Sequence, residues 1–463
     1  MKPRTPHRLA VPLALAFAAS GCPDNNGSDP PVDRIFFPIA AALHRPAAGG
    51  PADFLYVVNA NFDLQYNGST VTALDLALVR QRLTSHERCV ADPTSAGAWL
   101  CDDQPLLRAG ITRKINPYAV DAALATYART QRLYVLVRGG NTMTWFDVNT
   151  DGSLDCGAID DRGYCSADHA SGGDPAQSPT GARLPADPSS LSVDARRGYV
   201  VVTHQSFDEG SPRASLFFDP ASLAMPPQDT RPFLVNVVGG LAAGLSSLTL
   251  LPRAREDDAL RSTWLVTSRS DASFTTLQVY PGNAMLRDNR AFLYRASVAP
   301  VTGLSNGADS RAVALDPRAP TRRAYVVSRR PESLLTLDIR NPATPVVESA
   351  IPLPAGSSRV AAVDEGDRTM VYTVSYDARR IYAVDPSVYG DNPTSAIVSQ
   401  IASGRGPHAI VHDAVDQKLY VLDFLDAAVE VIDVAPRLAA GSPNPMYNRR
   451  VLTIGRPGRG AAR

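Results

Sequence analysis

Apolar residues along this chain fall into short runs, and the runs come in pairs. FLYVVN (54–59) is followed by TVTALD (70–75), RLYVLV (132–137) by TMTWFD (142–147), RGYVVV (197–202) by ASLFFD (214–219), and STWLVT (262–267) by FTTLQVY (274–280). Three more pairs complete the series: RAYVVS (323–328) with LLTLD (334–338), MVYTVS (370–375) with IYAVD (381–385), and KLYVLD (418–423) with VEVID (429–433). Runs of this length, rich in β-branched and aromatic residues and bounded by turn residues, predict antiparallel hairpins. In four pairs the aromatic of the first run and the Asp closing the second stand 13 residues apart: Tyr134 and Asp147, Tyr325 and Asp338, Tyr372 and Asp385, Tyr420 and Asp433.

A further strand precedes the later pairs in one register, from Arg311 to Asp316, Arg359 to Asp364 and His408 to Asp413, with looser versions at Ile39, Tyr118, Ser189 and Ser246. Another follows them, clearest in VVESAIPL (346–353), SAIVSQIA (395–402) and RRVLTIG (449–455). Four short strands repeated seven times, with Tyr325, Tyr372 and Tyr420 spaced by 47 and 48 residues, predict an all-β fold. The expected architecture is a seven-bladed β-propeller of four-stranded antiparallel blades over residues 33–455. The ring closes either with RRVLTIG as an unaided outer strand or with the segment Asp33 to Phe37 added to it.

Composition supports this reading and narrows the function. The chain has 463 residues, with Lys+Arg and Asp+Glu both at 46, a formal net charge of zero, and Gly 32 and Pro 38. That balance argues against a dedicated nucleic-acid binder, and the chain is long enough to fold without metal or disulfides. Only Lys2, Lys114 and Lys418 are lysines, so nearly every cation is a guanidinium.

The N-terminus reads as an export address. Lys2, Arg4 and Arg8 precede an apolar stretch from Leu9 to Ala19, too short to span a bilayer, which needs about 20 apolar residues. Ala19-Ser20-Gly21-Cys22 resembles the lipobox of bacterial lipoproteins, with Ala19 where that family usually carries Leu. The resemblance implies a signal peptide over 1–21, lipidation of Cys22 and residence in the bacterial cell envelope by a membrane anchor. Residues 22–32 read as a flexible tether and 456–463 as a tail. The other four cysteines form local pairs, Cys89 with Cys101 and Cys156 with Cys165. In an oxidising compartment these read as disulfides, since the close spacing of a zinc site is missing. They lie in insertions spanning 77–111 and 152–184, where they would staple long loops.

The repeat as a whole resembles bacterial propellers of the YVTN type and, more loosely, phosphogluconolactonase-like and NHL-like propellers. Tyr56-Val57-Val58-Asn59 alone keeps the asparagine of that motif. In such propellers the first strand of each blade lines the central channel, which places Tyr118, His204, Arg311, Arg329, Arg359, His408 and Asp423 at or near its mouth as candidate ligand contacts. An arginine-rich mouth suits a carboxylate, phosphate or acidic sugar held by forked hydrogen bonds. Alternatively, Asp63, Asp271, Asp309 and Asp426 neutralise a solvated face.

His408, after Gly404-Arg405-Gly406-Pro407, is a candidate ligand or base without a partner histidine at fixed spacing. No catalytic residue is assigned and no metal site is expected. Asp147, Asn149 and Asp151 begin a calcium-loop pattern, but its twelfth position is Ala158 rather than Glu. Motifs for nucleotide, haem, zinc-protease and serine-hydrolase chemistry are missing from the sequence. The expected function is therefore a monomeric, lipid-anchored module that binds a protein or a small anionic or carbohydrate ligand, or serves as a scaffold, without nucleic acid. The alternative is a lactonase-like hydrolase with its site at the channel mouth, for which Asp309, His408 and Asp423 are candidate groups.

Overall fold

A strand covered on both faces needs apolar residues at every position, whereas a strand lining a channel needs them at every second one. Both patterns occur in each unit. Phe54–Asn59 and Ser69–Asp75 are buried almost throughout, while Pro38–His44 alternates buried and half-buried positions. In the computed structural model, which describes residues 27–46, 50–178, 181–205, 212–252, 261–282, 290–301, 308–390, 392–438 and 441–455, these strands form seven antiparallel sheets. Their innermost strands begin at Pro38, Ala119, Pro188, Leu245, Ser310, Arg359 and Pro407, and each touches the next, the last returning to the first. The protein is a seven-bladed β-propeller, as its sequence pattern predicts.

The apolar core is divided among the joints between blades. Because successive side chains alternate across a strand, Tyr56 and Val58 pack toward blade 2 with Leu133 and Val135, while Leu55 and Val57 pack toward blade 7 with Tyr420 and Leu422. There are seven such clusters among the described residues, one for each pair of neighbouring blades.

The recurrent Tyr and Asp serve these joints. Asp219, Asp338, Asp385 and Asp433 each accept the backbone N–H two residues on, an Asx turn that leads the third strand toward the fourth. Three second-strand tyrosines donate into the next blade: Tyr56 to the Gly152 carbonyl at 2.7 Å, Tyr134 to Asp219, and Tyr372 to Asn448 at 2.5 Å, while Tyr325 donates to Asp316 of its own blade at 3.1 Å.

Ring closure follows neither predicted route alone. Arg449–Ile454 is the fourth strand of blade 7, but two strands from the blade-1 insertion extend that sheet. Asp75 caps the helix Leu76–Ser85, and the chain then forms a hairpin of Cys89–Ala91 and Trp99–Cys101 joined by the Cys89–Cys101 disulfide. Trp99–Cys101 pairs parallel to Leu452–Ile454. The segment expected as a stapled loop is thus a clasp across the seam. The Asp33 to Phe37 segment does not join the sheet. Instead the Ile35 N–H donates to Asp103 at 2.7 Å and the Phe36 N–H to Asn59 at 3.2 Å.

The second insertion divides the outer strand of blade 2 into Leu154–Asp155 and Ala170–Ser171, with the Cys156–Cys165 bridge between them. The described end of the expected tether also adheres to the propeller. Ser28 bridges to Tyr66, and Asp29 pairs with Lys114 at 3.1 Å and Arg162 at 2.6 Å. Cys22 and the export segment lie outside the described residues. No helix among the described residues is long and apolar enough to cross a membrane.

Candidate functional site

The channel mouth is built by a recurrent irregularity. Near the start of six of the seven inner strands the ladder slips by one residue, at Ile39, Val120, Ser189, Ser246, Arg311 and His408. A bulge re-aims the side chains beside it, and several of these staple one blade to the next. Ser246 donates to the Ser310 carbonyl at 2.7 Å, and His408 Nδ1 lies 3.2 Å from the Ile39 carbonyl, across the seam between the last blade and the first. Gly406, at φ +68 before Pro407, allows the turn that delivers His408; a Cβ there would fall 2.8 Å from the Tyr376 ring.

Blades 4 to 6 bring arginines to this rim. Arg311 donates to Asp309 at 2.7 Å, and Arg329 is paired with Asp377. Arg269 and Arg330 have no carboxylate partner among the described residues. These side chains, with Glu332 and Gly356, line a cavity of about 550 Å³.

Deeper in the hub, Asp121 accepts Ser190 Oγ at 2.8 Å and the Leu191 N–H at 2.9 Å, with the Arg359 guanidinium acting on it across the channel. Burial raises the Asp121 carboxyl above its ordinary range, against the pull of Arg359. Burial likewise lowers Arg359 and Arg311, opposed by Asp121 and Asp309 respectively. His408 is brought down to about 3, first by burial and then by Arg359 and Arg311. Its ring is therefore neutral at physiological pH. With Nδ1 donating to Ile39, the Nε2 lone pair is left as an acceptor.

The opposite side of the rim is aromatic. Phe424 stands 5.2 Å from Phe37, 5.5 Å from Phe62 and 6.0 Å from His408 between ring centroids, and Phe62 meets Tyr118 edge-on at 6.4 Å. Phe62 is 60% exposed, and Leu64 and Leu425 beside it are exposed as well.

Of the residues anticipated from sequence, Arg311, Arg329, Arg359 and His408 converge on the mouth. Tyr118 also reaches it, although Val120 holds the repeat position in blade 2 and Tyr118 sits on the loop before it at φ 63. His204 does not reach it. Its side chain is buried between the Ala186 carbonyl, 3.2 Å from Nδ1, and Ser215 Oγ, 2.8 Å from Nε2, and burial lowers it to about 4. Asp423 lies behind Gly404, where Ser403 Oγ donates to it at 3.0 Å; burial and then Glu430 raise its carboxyl well above the ordinary range.

Asp121 and the phenylalanines escaped sequence reasoning. A lone acid inside the otherwise apolar strand Ala119–Thr126 was the available signal for the first. In the calcium-like turn, Asp147 pairs with Arg132 at 2.7 Å, Asn149 bonds Ser153 at 2.9 Å, and Asp151 accepts the Ser153 N–H at 2.9 Å. Asn149 and Asp151 are thus engaged in closing the turn, and Asp147 in a pair with the adjacent strand. Both expected disulfides are present.

The chain matches no protein-family model and no curated protein. Among solved structures it is similar to Kuenenia stuttgartiensis hydrazine synthase, at 9% identity and a TM-score of 0.51, over 87% of this chain and 96% of that one. It is also similar to a periplasmic gluconolactonase of Pseudomonas aeruginosa, at 12% identity and a TM-score of 0.47, over 80% of this chain and 86% of the other. A putative 6-phosphogluconolactonase of Bacteroides uniformis gives 13% identity and a TM-score of 0.40, over 91% of this chain and 86% of that one. At such identities the common ground is the propeller fold.

Proposed function

We propose that this chain is an envelope lipoprotein of the YVTN-like kind, anchored through Cys22, whose propeller binds a small anionic ligand at the arginine-lined end of its channel. One observation carries the reading: Arg269, Arg311, Arg329 and Arg330 surround a single cavity, and two of them lack carboxylate partners among the described residues. Guanidinium forks with free donors in a recess suit an oxyanion better than a flat, fully paired surface would. Calorimetric titration with gluconate, phosphate and acetate tests it. Binding of at least one anion, weakened about ten-fold by Arg330→Gln, is expected, and unchanged affinity in that variant argues against the site. For the anchor, Cys22→Ser should move the protein from the membrane to the soluble fraction.

A second reading, a lactone hydrolase, rests on His408. Its neutral ring leaves an acceptor nitrogen in a recess flanked by Arg311 and Arg359, which could orient a water beside a bound lactone, although burial and the two guanidiniums make the ring a weak base. Proton release from gluconolactone, abolished by His408→Gln, would favour hydrolysis over binding.

A further inference from the structure

The channel mouth is divided by chemistry as well as by blade. Its arginines come from blades 4 to 6, whereas Phe37, Phe62, Tyr118 and Phe424 come from the loops of blades 1, 2 and 7 on the same face. The halves meet at His408, which lies 6.0 Å from the Phe424 ring and is acted on by both Arg359 and Arg311. Phe62 packs edge-on against Phe424 and Tyr118, at interplanar angles of 76° and 81°, yet remains 60% exposed. A large aromatic held in place by its neighbours while still facing solvent is preorganised to take another ring.

Charge limits the other end of the ligand. The cavity lining holds four guanidiniums, Arg269, Arg311, Arg329 and Arg330, against three carboxylates, Asp309, Glu332 and Asp377, a surplus of one positive charge. Farther in, Asp121 offsets Arg359. The recess therefore matches a singly charged head better than a doubly charged one.

We propose that the ligand is an amphipathic monoanion, a carboxylate carrying an aromatic ring, with its head among Arg311, Arg329 and Arg330 and its ring against the exposed Phe62, which the buried Phe424 backs. This rests on the anion-binding reading and adds the apolar half and the charge to it. Apolar area removed from water when the ring stacks on Phe62 should improve affinity by roughly ten-fold over the same carboxylate without it.

The test is titration of the whole protein with 4-phenylbutyrate, butyrate, 4-phenylbutyramide and phenyl phosphate, using wild type, Phe62→Ala and Arg330→Gln. Both substitutions fall at exposed positions and leave the core intact. The expected result is that 4-phenylbutyrate binds about ten-fold or more tightly than butyrate or the amide, and more tightly than phenyl phosphate at a pH where that ligand is a dianion. Phe62→Ala should erase the advantage over butyrate, and Arg330→Gln should weaken both carboxylates. Equal binding of 4-phenylbutyrate and butyrate, both sensitive to Arg330→Gln and indifferent to Phe62→Ala, overturns the amphipathic ligand and leaves the anion site standing. Tighter binding of phenyl phosphate overturns the single charge. If none of the anions binds, both the site and its ligand class fall.

Discussion

The Asp that closes the third strand in four of the blades, Asp219, Asp338, Asp385 and Asp433, has one backbone task and very different surroundings. Asp219 accepts Arg132 at 2.7 Å and the Ala221 N–H at 2.8 Å, and also takes the Tyr134 hydroxyl, with Arg132 only 1% exposed. Asp338 makes the same turn but pairs with Arg340, which is 67% exposed. Asp219→Ala removes the buried partner of Arg132 and leaves it only the half-exposed Asp147, so it should destabilise by about 3 kcal/mol, while Asp338→Ala should cost about 1 kcal/mol. Chemical denaturation of the two variants gives both values.

His204 supplies a pH signature at the same scale. Its folded value of about 4 lies below the ordinary 6.5, so between these values the unfolded chain binds a proton that the folded one refuses. Stability should fall as pH drops through that window, by about 3 kcal/mol from this residue, and change no further from it below pH 4. Asp423 and Glu430, whose carboxyls are raised by burial, pull the other way on acidification. The measurement is therefore the difference between wild type and His204→Asn, which should shrink as the pH falls.

Among the elements, the clasp of Cys89–Ala91 and Trp99–Cys101 is the one with most influence outside its own blade. It hydrogen-bonds to the last strand, and Arg450 of that strand reaches Asp92 at 2.6 Å and also pairs with Glu430. A disulfide closing a loop of this size contributes about 3 kcal/mol. Replacing Cys89 and Cys101 by serine should lower the melting temperature, and amide exchange at Leu452, Thr453 and Ile454 should accelerate while Val326 and Val371 stay protected. Equal acceleration in all blades would mean that the bridge acts on the fold as a whole. The sequence showed the two cysteines and their pairing but not this clasp. Strands of three residues carry no period, and a parallel partnership between residues about 350 positions apart leaves no local mark. The hub strands were legible for the opposite reason: each has a channel face and a covered face, so the alternation is written in its own residues. Arg359 and His408 followed from that register. Phe62 and Phe424 did not, since an aromatic in a loop acquires its meaning only from the loop opposite.

For the whole molecule, stability is shared among joints. Among the described residues seven clusters lie between blades, so every blade depends on two neighbours. The channel mouth inherits this rigidity, because its residues sit at the ends of strands fixed by those joints.

The clasp also gathers the two limits of the ring. The Ile35 N–H is held by Asp103 and the Gly455 N–H by the Cys101 carbonyl at 3.0 Å, two residues apart in a segment remote from both. Start and finish of the propeller are therefore adjacent in space, and neither provides the lock. A circularly permuted chain, with 455 joined to 35 through a short linker and reopened at the exposed Gly366–Asp367 turn, should melt as cooperatively as the parent.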